Sequence, residues 1–154
     1  MSSIIISDAW ERDLEDIFKI EAESFDNPYP PGLLKAYLSL ADGLYLVARL
    51  GEQIVGYCIG IVQFKTRGHV VSIATLKAAR NRGIGSALLN ELEERFKKLG
   101  CTYSYLEVNV NNSDAIRFYF NRSYKVIRTR KNYYGRNRNG FVMLKDLRSV
   151  SGHE

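Results

Sequence analysis

The hexapeptide Arg-Asn-Arg-Gly-Ile-Gly at residues 80 to 85 has residue types suited to binding an anionic group. It follows an apolar run and precedes a leucine-rich helical pattern, so it marks the entry to a helix. The first-turn N–H groups of a helix have no intrahelical partner and lie at the positive end of its dipole. Glycines let a phosphate approach the backbone, and the arginines add charge. The spacing predicts a pyrophosphate site, with a glycine-started helix and exposed arginines as the structural alternative.

Two titratable side chains in apolar surroundings are candidates for proton transfer. Glu107 lies among apolar residues, where a buried carboxylate is costly unless it is paired or used in chemistry. Its structural alternative is a cross-strand partner for a lysine or arginine. His69 is the other candidate base, because histidine titrates near neutral pH. We rank it below Glu107, since it begins a strand-like run, where histidines are commonly exposed or satisfied.

Hydrophobic periodicity predicts the elements that position these residues. The loop Asn27 to Gly32 separates the first two helices, because its prolines do not fit inside a helix or a central strand. The predicted helices are Trp10 to Ser24, Leu33 to Leu40, Gly83 to Leu99 and Asn112 to Asn121. The predicted strands are Ile4 to Ile6, Tyr45 to Arg49, Ile54 to Phe64, His69 to Leu76, Tyr103 to Val110, Tyr124 to Tyr133 and Phe141 to Leu147.

The element order, β-α-α-β-β-β-α-β-α-β-β, predicts the fold class. Residues Leu50 to Gln53 between the second and third strands have the composition of a hairpin turn. We find no internal repeat or low-complexity tract. The economical fold is one α+β domain with a mixed central sheet flanked by helices, covering residues 1–148 and followed by a flexible tail at 149–154.

Composition limits the class of protein. The chain has 154 residues, of which 45% are hydrophobic and 25% charged, as in soluble globular domains. No apolar run approaches the roughly 18 to 20 residues of a membrane span, and Met1-Ser2-Ser3 lacks the basic start of a secretion signal. We therefore expect a cytoplasmic protein. Cys58 and Cys101 form no CxxC pair, so we expect buried reduced thiols and no metal site.

Positive charge is concentrated in the last third of the chain. Between Arg122 and Arg148 there are nine basic residues and one acidic residue, Asp146. The basic residues are Arg122, Lys125, Arg128, Arg130, Lys131, Arg136, Arg138, Lys145 and Arg148. Such a segment suits a polyanion such as ribosomal RNA or a phosphate-bearing cofactor. A solvated face without a partner is the alternative.

Motifs in consecutive elements resemble one enzyme family. Arg80-Asn81-Arg82-Gly83-Ile84-Gly85 has the R/Q-x-x-G-x-G/A form of the GCN5-related N-acetyltransferases, placed between a strand and a helix as in that family. Leu106-Glu107-Val108, followed by Asn112, Ala115-Ile116 and Tyr119, resembles the family signature of the next strand and helix. The resemblance covers nearly the whole chain in the right order.

Further motifs resemble one branch of that family. The run His69 to Ala74 and the pair Tyr133-Tyr134 are similar to protein N-terminal acetyltransferases of the bacterial RimI and archaeal Ard1 types. In the family, the helix after Asn112 usually ends in Gly-Phe, whereas Ser123-Tyr124 occupies that place here. We therefore expect a left-handed cap at Ser123 that costs some stability.

The resemblance implies that acetyl-CoA is the acetyl donor. The backbone of Ile73-Ala74-Thr75 would pair with the pantetheine arm as another strand does. Residues Arg80 to Gly85 would bind the pyrophosphate, and Asn112 would bond the pantetheine. By its position alone, Asn112 is a helix N-cap, a role compatible with cofactor binding.

The resemblance also implies catalytic roles. Glu107 matches the RimI-type base, acting through water, and Tyr119 matches the family's tyrosine acid. A phenol of pKa about 10 can protonate a thiolate whose conjugate acid has a pKa of about 8.5. By pattern alone, Tyr119 is an aromatic ring packed at helical spacing with Ile116.

For the acceptor, the resemblance implies the N-terminal α-amine of a protein, including a ribosomal protein, with Tyr29, Tyr133 and Tyr134 closing over it. The basic loop Gly135 to Asn139 replaces an acidic loop of the Ard1 type, which favours acidic peptides or docking on the ribosome. We expect no DNA or membrane partner. The alternatives are acetylation of a small amine or a lysine side chain, and a non-catalytic CoA- or RNA-binding module.

Overall fold

The computed structural model describes residues 3–131 and 139–148. Within these residues the predicted order of helices and strands is confirmed. The helices are α1 (Leu14–Ser24), α2 (Pro31–Leu40), α3 (Ile84–Lys98) and α4 (Ser113–Phe120), with short 3-10 turns at Glu11–Asp13 and Lys77–Ala79. The strands are β1 (Ile4–Asp8), β2 (Tyr45–Leu50), β3 (Gln53–Gln63), β4 (Arg67–Thr75), β5 (Tyr103–Asn109), β6 (Lys125–Arg130) and β7 (Gly140–Asp146).

The strands form one seven-stranded sheet in the order β1-β2-β3-β4-β5-β7-β6. Antiparallel pairing joins β1 to β2, β2 to β3, β5 to β7 and β6 to β7, whereas β4 and β5 are parallel. The predicted hairpin turn joins β2 to β3, and Gly51 has a φ of +66°, which glycine adopts without strain. The mixed sheet confirms the predicted α+β class.

By internal packing the chain divides into two compact units, residues 1–61 with 70–95 and residues 62–69 with 96–154. In the first unit, α3 packs directly on β3 at Gly56. A Cβ atom there would lie 3.0 Å from Ile84 and 3.1 Å from Leu88 and the Ala74 carbonyl. Leu46, Val47 and Leu92 complete a core whose side chains are removed from water. This packing fixes the start of α3, and with it the glycine turn.

The second unit has its own core between α4 and strands β5 and β7. Leu106, Tyr124 and Met143 are almost fully buried. Phe96 lies over Gly68 so closely that a Cβ atom on that glycine would meet the ring at 2.5–2.8 Å. Gly68 is therefore required by space at the point where β4 begins its pairing with β5.

One loop prediction was wrong. Pro31 and Gly32, predicted to lie in a loop, are the first two residues of α2. The first turn of a helix needs no N–H partner and its φ suits proline, so Pro31 starts the helix rather than excluding it. The helix predicted from Trp10 instead starts as the short 3-10 turn, where the Trp10 N–H donates to Asp13 Oδ2 at 2.8 Å, and α1 begins at Leu14.

Two smaller predictions, on Ser123 and on the cysteines, are confirmed. Ser123 has a φ of 74°, so it adopts the left-handed cap that the replaced glycine would have taken. Cys58 and Cys101 are buried free thiols, and burial raises the pKa of each above its ordinary value. In the part of the chain that the structure describes, every helix is too short or too polar to cross a membrane.

Candidate active site

His69 and Glu107 form a hydrogen-bonded pair in the second unit. The parallel pairing of β4 with β5 places Arg67 opposite Tyr103 and His69 opposite Tyr105. His69 and Glu107 therefore project from the same face of the sheet, where His69 Nε2 lies 2.8 Å from Glu107 Oε1. Their side chains retain 17% and 10% of their exposure, so the pair is shielded but reachable by water.

The imidazole of His69 is held by its neighbour on β5. The ring of Tyr105 stacks on it with centroids 4.5 Å apart and planes 8° from parallel. Tyr105 is fixed in turn, because its hydroxyl donates to Gln63 Oε1 at 2.8 Å. The stacking and the bond to Glu107 together restrict the orientation of the imidazole.

A cation lies on the other side of Glu107. Arg130 Nη1 is 3.6 Å from Glu107 Oε2, and the Arg130 side chain is 45% exposed. From the sequence, Glu107 was either a paired or a catalytic carboxylate, and His69 was a competing candidate for the base. In the structure the Glu107 carboxylate is paired, and it contacts both the imidazole of His69 and the guanidinium of Arg130.

Tyr119 lies in a separate aromatic cluster of the same unit. It is buried on α4, and its ring meets that of Tyr124 edge-on at 5.7 Å. The Tyr124 hydroxyl is 2.9 Å from Ser104 Oγ, so this cluster is anchored to β5. The packed-aromatic alternative for Tyr119 is therefore observed, and its role as an acid stays a prediction.

Asn112 caps α4, as its position indicated. Its Oδ1 accepts the Ala115 N–H at 3.1 Å. The predicted pantetheine contact would use the Nδ2 donor instead, so the cap and cofactor binding engage different atoms.

The glycine turn lies in the first unit, between the 3-10 turn at Lys77–Ala79 and α3. Arg80, Asn81, Arg82 and Gly83 are exposed, and Ile84 is buried as the first residue of the helix. Gly83 has a φ of +79°, and an added Cβ would meet nothing within 4 Å. The backbone conformation accounts for this glycine, while the open space fits the approach of a phosphate.

The carboxyl end of β4 leads into this turn. Ala74 is buried, whereas Ile73 and Thr75 remain partly accessible. Arg80 folds back so that its Nε donates to the Thr75 carbonyl at 3.4 Å. The strand end and the arginine are thus held together within the first unit.

Tyr29 is positioned by a buried carboxylate that the sequence analysis did not identify. The Tyr29 backbone N–H donates to Glu21 Oε2 at 2.9 Å, and Tyr57 donates its hydroxyl to Glu21 Oε1. Ser72 Oγ lies 3.4 Å from the same oxygen. A signal was present in the sequence, because Glu21 continues the helical apolar spacing of Ile17 and falls on the buried face of α1.

The charge on Glu21 affects the tyrosines around it. Burial, and secondly the Glu21 carboxylate, raise the pKa of Tyr57 and of Tyr45 above the ordinary value for a phenol. Tyr57 therefore remains a donor at any physiological pH. The other predicted substrate contacts, Tyr133 and Tyr134, lie outside the described residues.

The region that contains the glycine turn and α4 also matches a known family of proteins. Residues 13–122 match the model of the acetyltransferase (GNAT) family, and the chain belongs to that family. It is an acetyl-CoA-dependent N-acetyltransferase.

Two relatives cover almost the whole chain. An uncharacterized N-acetyltransferase of Methanocaldococcus jannaschii is 33% identical over 150 residues, which are 97% of this chain and 96% of that protein. An N-alpha-acetyltransferase of Sulfurisphaera tokodaii is 30% identical over 154 residues and covers 92% of each chain.

Solved structures show the same fold. Ard1 from Thermoplasma volcanium matches with a TM-score of 0.91 at 23% identity, over 95% of this chain and 99% of that chain. Arabidopsis thaliana Naa50, in complex with the bisubstrate analogue CoA-Ac-MVNAL, matches with a TM-score of 0.80 at 25% identity, over 94% and 99% of the two chains.

Proposed function

We propose that this enzyme transfers the acetyl group of acetyl-CoA to the N-terminal α-amine of a protein. The observation that carries the proposal is the His69–Glu107 pair, because an amine is protonated at neutral pH and must lose a proton before it attacks a thioester. The N-alpha-acetyltransferase of S. tokodaii and the bisubstrate complex of Naa50 support the choice of an α-amine.

In this reaction acetyl-CoA supplies an acetyl group held as a thioester. Glu107, acting through a water molecule, takes a proton from the acceptor ammonium group, and the bond to His69 holds the carboxylate in place. The amine nitrogen bonds to the acetyl carbon as the carbon–sulfur bond breaks, and Tyr119 donates its proton to the departing sulfur. The second proton, which the nitrogen loses as the amide forms, restores the Tyr119 hydroxyl, and the proton held by Glu107 passes to solvent, so one proton is released overall.

For the donor, we assign the pyrophosphate to residues Arg80, Asn81, Arg82, Gly83, Ile84 and Gly85. Exposed arginines and the open space at Gly83 support this assignment. Backbone groups of Ile73, Ala74 and Thr75 and the side chain of Asn112 would hold the pantetheine arm.

Proton energetics favour an α-amine over a lysine. At pH 7, deprotonating an α-amine of pKa about 8 costs about 1.4 kcal/mol, against about 4.6 kcal/mol for a lysine of pKa about 10.4. A single carboxylate base meets the smaller cost more readily. Tyr29, whose backbone is fixed by Glu21, would contact the first residue together with Tyr133 and Tyr134, and a narrow aromatic site favours a small residue such as Ser or Ala.

The test uses two matched peptides with acetyl-CoA. One peptide has a free N-terminal serine and no lysine, and the other is blocked at its N-terminus and carries one internal lysine. We expect acetylation of the first peptide, measured as CoA release and located by mass spectrometry. Preferential acetylation of the second would overturn the proposal and make this enzyme a lysine acetyltransferase.

A further inference from the structure

Strand β6 contains a bulge that changes which face its side chains occupy. Lys125 pairs with Leu144 and Val126 with Met143, but the next pair joins Arg128 to Val142. Ile127 is therefore an extra residue on β6. A bulge of this kind shifts every later side chain of its strand to the opposite face of the sheet.

The shift brings basic residues onto the face that carries Glu107. Directly opposed residues share a face, and Val142 lies opposite both Arg128 on β6 and Glu107 on β5. By the same pairing, Arg130 shares the face of Asn109, and Lys125 shares the face of Tyr105. Without the bulge, both arginines would lie on the opposite face.

The side-chain positions agree with this register. Arg130 approaches Glu107 to 3.6 Å, which requires the two residues to share a face. Every residue of β6 is exposed, so Lys125, Arg128 and Arg130 form an accessible row of positive charge, here called the basic row. Bulges beside active sites commonly redirect side chains in this way.

Distances connect the basic row to the acceptor. Glu107 lies two strands away from β6, which is about 9.6 Å at the usual strand spacing. An extended peptide advances about 3.4 Å per residue. For an acceptor that runs from Glu107 across β7 towards β6, these spacings place residues two to four within reach of the basic row.

We propose that the basic row binds an acidic side chain at positions two to four of the acceptor protein. This inference rests on the proposed function and specifies its substrate class. Arginine binds a carboxylate through paired N–H donors, and the positive field also raises the local concentration of acidic peptides. Lysine-rich acceptors are disfavoured by the same field.

The experiment compares three peptides that share an N-terminal serine and differ only at positions two to four. These positions carry Asp or Glu, the neutral amides Asn or Gln, or Arg. We expect kcat/KM to be roughly three- to tenfold higher for the acidic than for the amide peptide at low salt, with the difference shrinking as salt screens the charges.

Arg128→Glu reverses one charge of the basic row, and Lys98→Glu makes the same change at an exposed position of α3 in the same unit. We expect Arg128→Glu to abolish or invert the preference for the acidic peptide. Lys98→Glu should preserve it. Equal loss in the two variants would show a general charge effect and overturn the proposal.

Three further outcomes also overturn it. Equal kcat/KM values for the acidic and amide peptides would overturn this inference alone. Failure of all three peptides to be acetylated on the α-amine would overturn the proposed function as well. Binding of a short single-stranded RNA that Arg128→Glu removes, with the peptide preference unchanged, would assign the basic row to nucleic acid.

Discussion

Glu21 and Glu107 are both shielded carboxylates, one in each compact unit, and their surroundings differ. Glu21 is 2% exposed and accepts hydrogen bonds from Tyr57 and from the Tyr29 backbone. Glu107 keeps 10% side-chain exposure and contacts His69 and Arg130. The donors around Glu21 are neutral and fixed, whereas the partners of Glu107 are a titratable ring and a cation.

This contrast explains what each carboxylate can do. A proton acceptor in catalysis needs access to water and a partner that can share or balance the proton. Glu21 has neutral donors whose protons are held firmly, since burial and the carboxylate raise the pKa of Tyr57. Glu21 is thus suited to fixing the segment around Tyr29, and Glu107 to chemistry. Burial of an acid does not by itself indicate catalysis.

The largest expected effect is on turnover, and it follows from removing the base Glu107 while Glu21 is kept. Glu107→Gln keeps the shape of the side chain and removes the base, so we expect kcat at pH 7 to fall about 10²- to 10³-fold. Activity should partly recover at high pH, where the acceptor amine deprotonates unaided. The measurement is the pH dependence of CoA release with an α-amine peptide.

Glu21→Gln is the matched control for that variant. We expect it to lower the free energy of unfolding by about 1–3 kcal/mol, because an amide cannot accept all the bonds of the carboxylate. Its kcat at saturating peptide should stay within a few-fold of the parent enzyme. If Glu21→Gln loses turnover as Glu107→Gln does while remaining folded, the division of roles is wrong.

The next effect is on the free energy of unfolding, and it tests whether the hydrogen bond from Tyr57 to Glu21 stabilises the fold. Tyr57→Phe removes the hydroxyl that donates to Glu21 and leaves the ring in place, so we expect a loss of about 2 kcal/mol in denaturant unfolding. Tyr45→Phe is the control. The Tyr45 hydroxyl is also buried, but among the described residues it has no hydrogen-bond partner. Removing it should be neutral or slightly stabilising, and equal losses in the two variants would contradict the expectation.

The sequence revealed the parts of the candidate site but not their pairing. Glu107 and His69 were both identifiable, because each is a polar residue in an apolar run. Their hydrogen bond depends on the parallel register of β4 and β5, which brings together residues 38 positions apart. Local periodicity carries no information on such long-range register.

Two other features show the same limit. Glu21 was overlooked although it continues the apolar face of α1, since an acid at such a position is usually placed on the solvent side. The bulge at Ile127 could not be predicted from the sequence. Strand β6 is exposed on both faces, so it lacks the alternation of apolar and polar residues that a bulge would interrupt. The element order, by contrast, was predicted because the hydrophobic period changes clearly at each boundary.

The smallest expected effect tests whether His69 shares in proton transfer or only holds Glu107. His69→Gln retains a donor for the Glu107 carboxylate and removes the titratable ring. We expect a drop of about tenfold in kcat/KM at pH 7, smaller than that of Glu107→Gln because the base itself remains. Participation of His69 in proton transfer would also change the shape of the pH profile of kcat/KM in this variant. Tyr105→Phe is the control, because it keeps the ring stacked on His69 and loses only the hydroxyl contacts to Gln63 and Arg67. It should change kcat/KM by less than about twofold and leave the pH profile unaltered. A His69→Gln enzyme with lower activity but an unchanged profile would make His69 a positioning residue and leave Glu107 as the sole base of the pair.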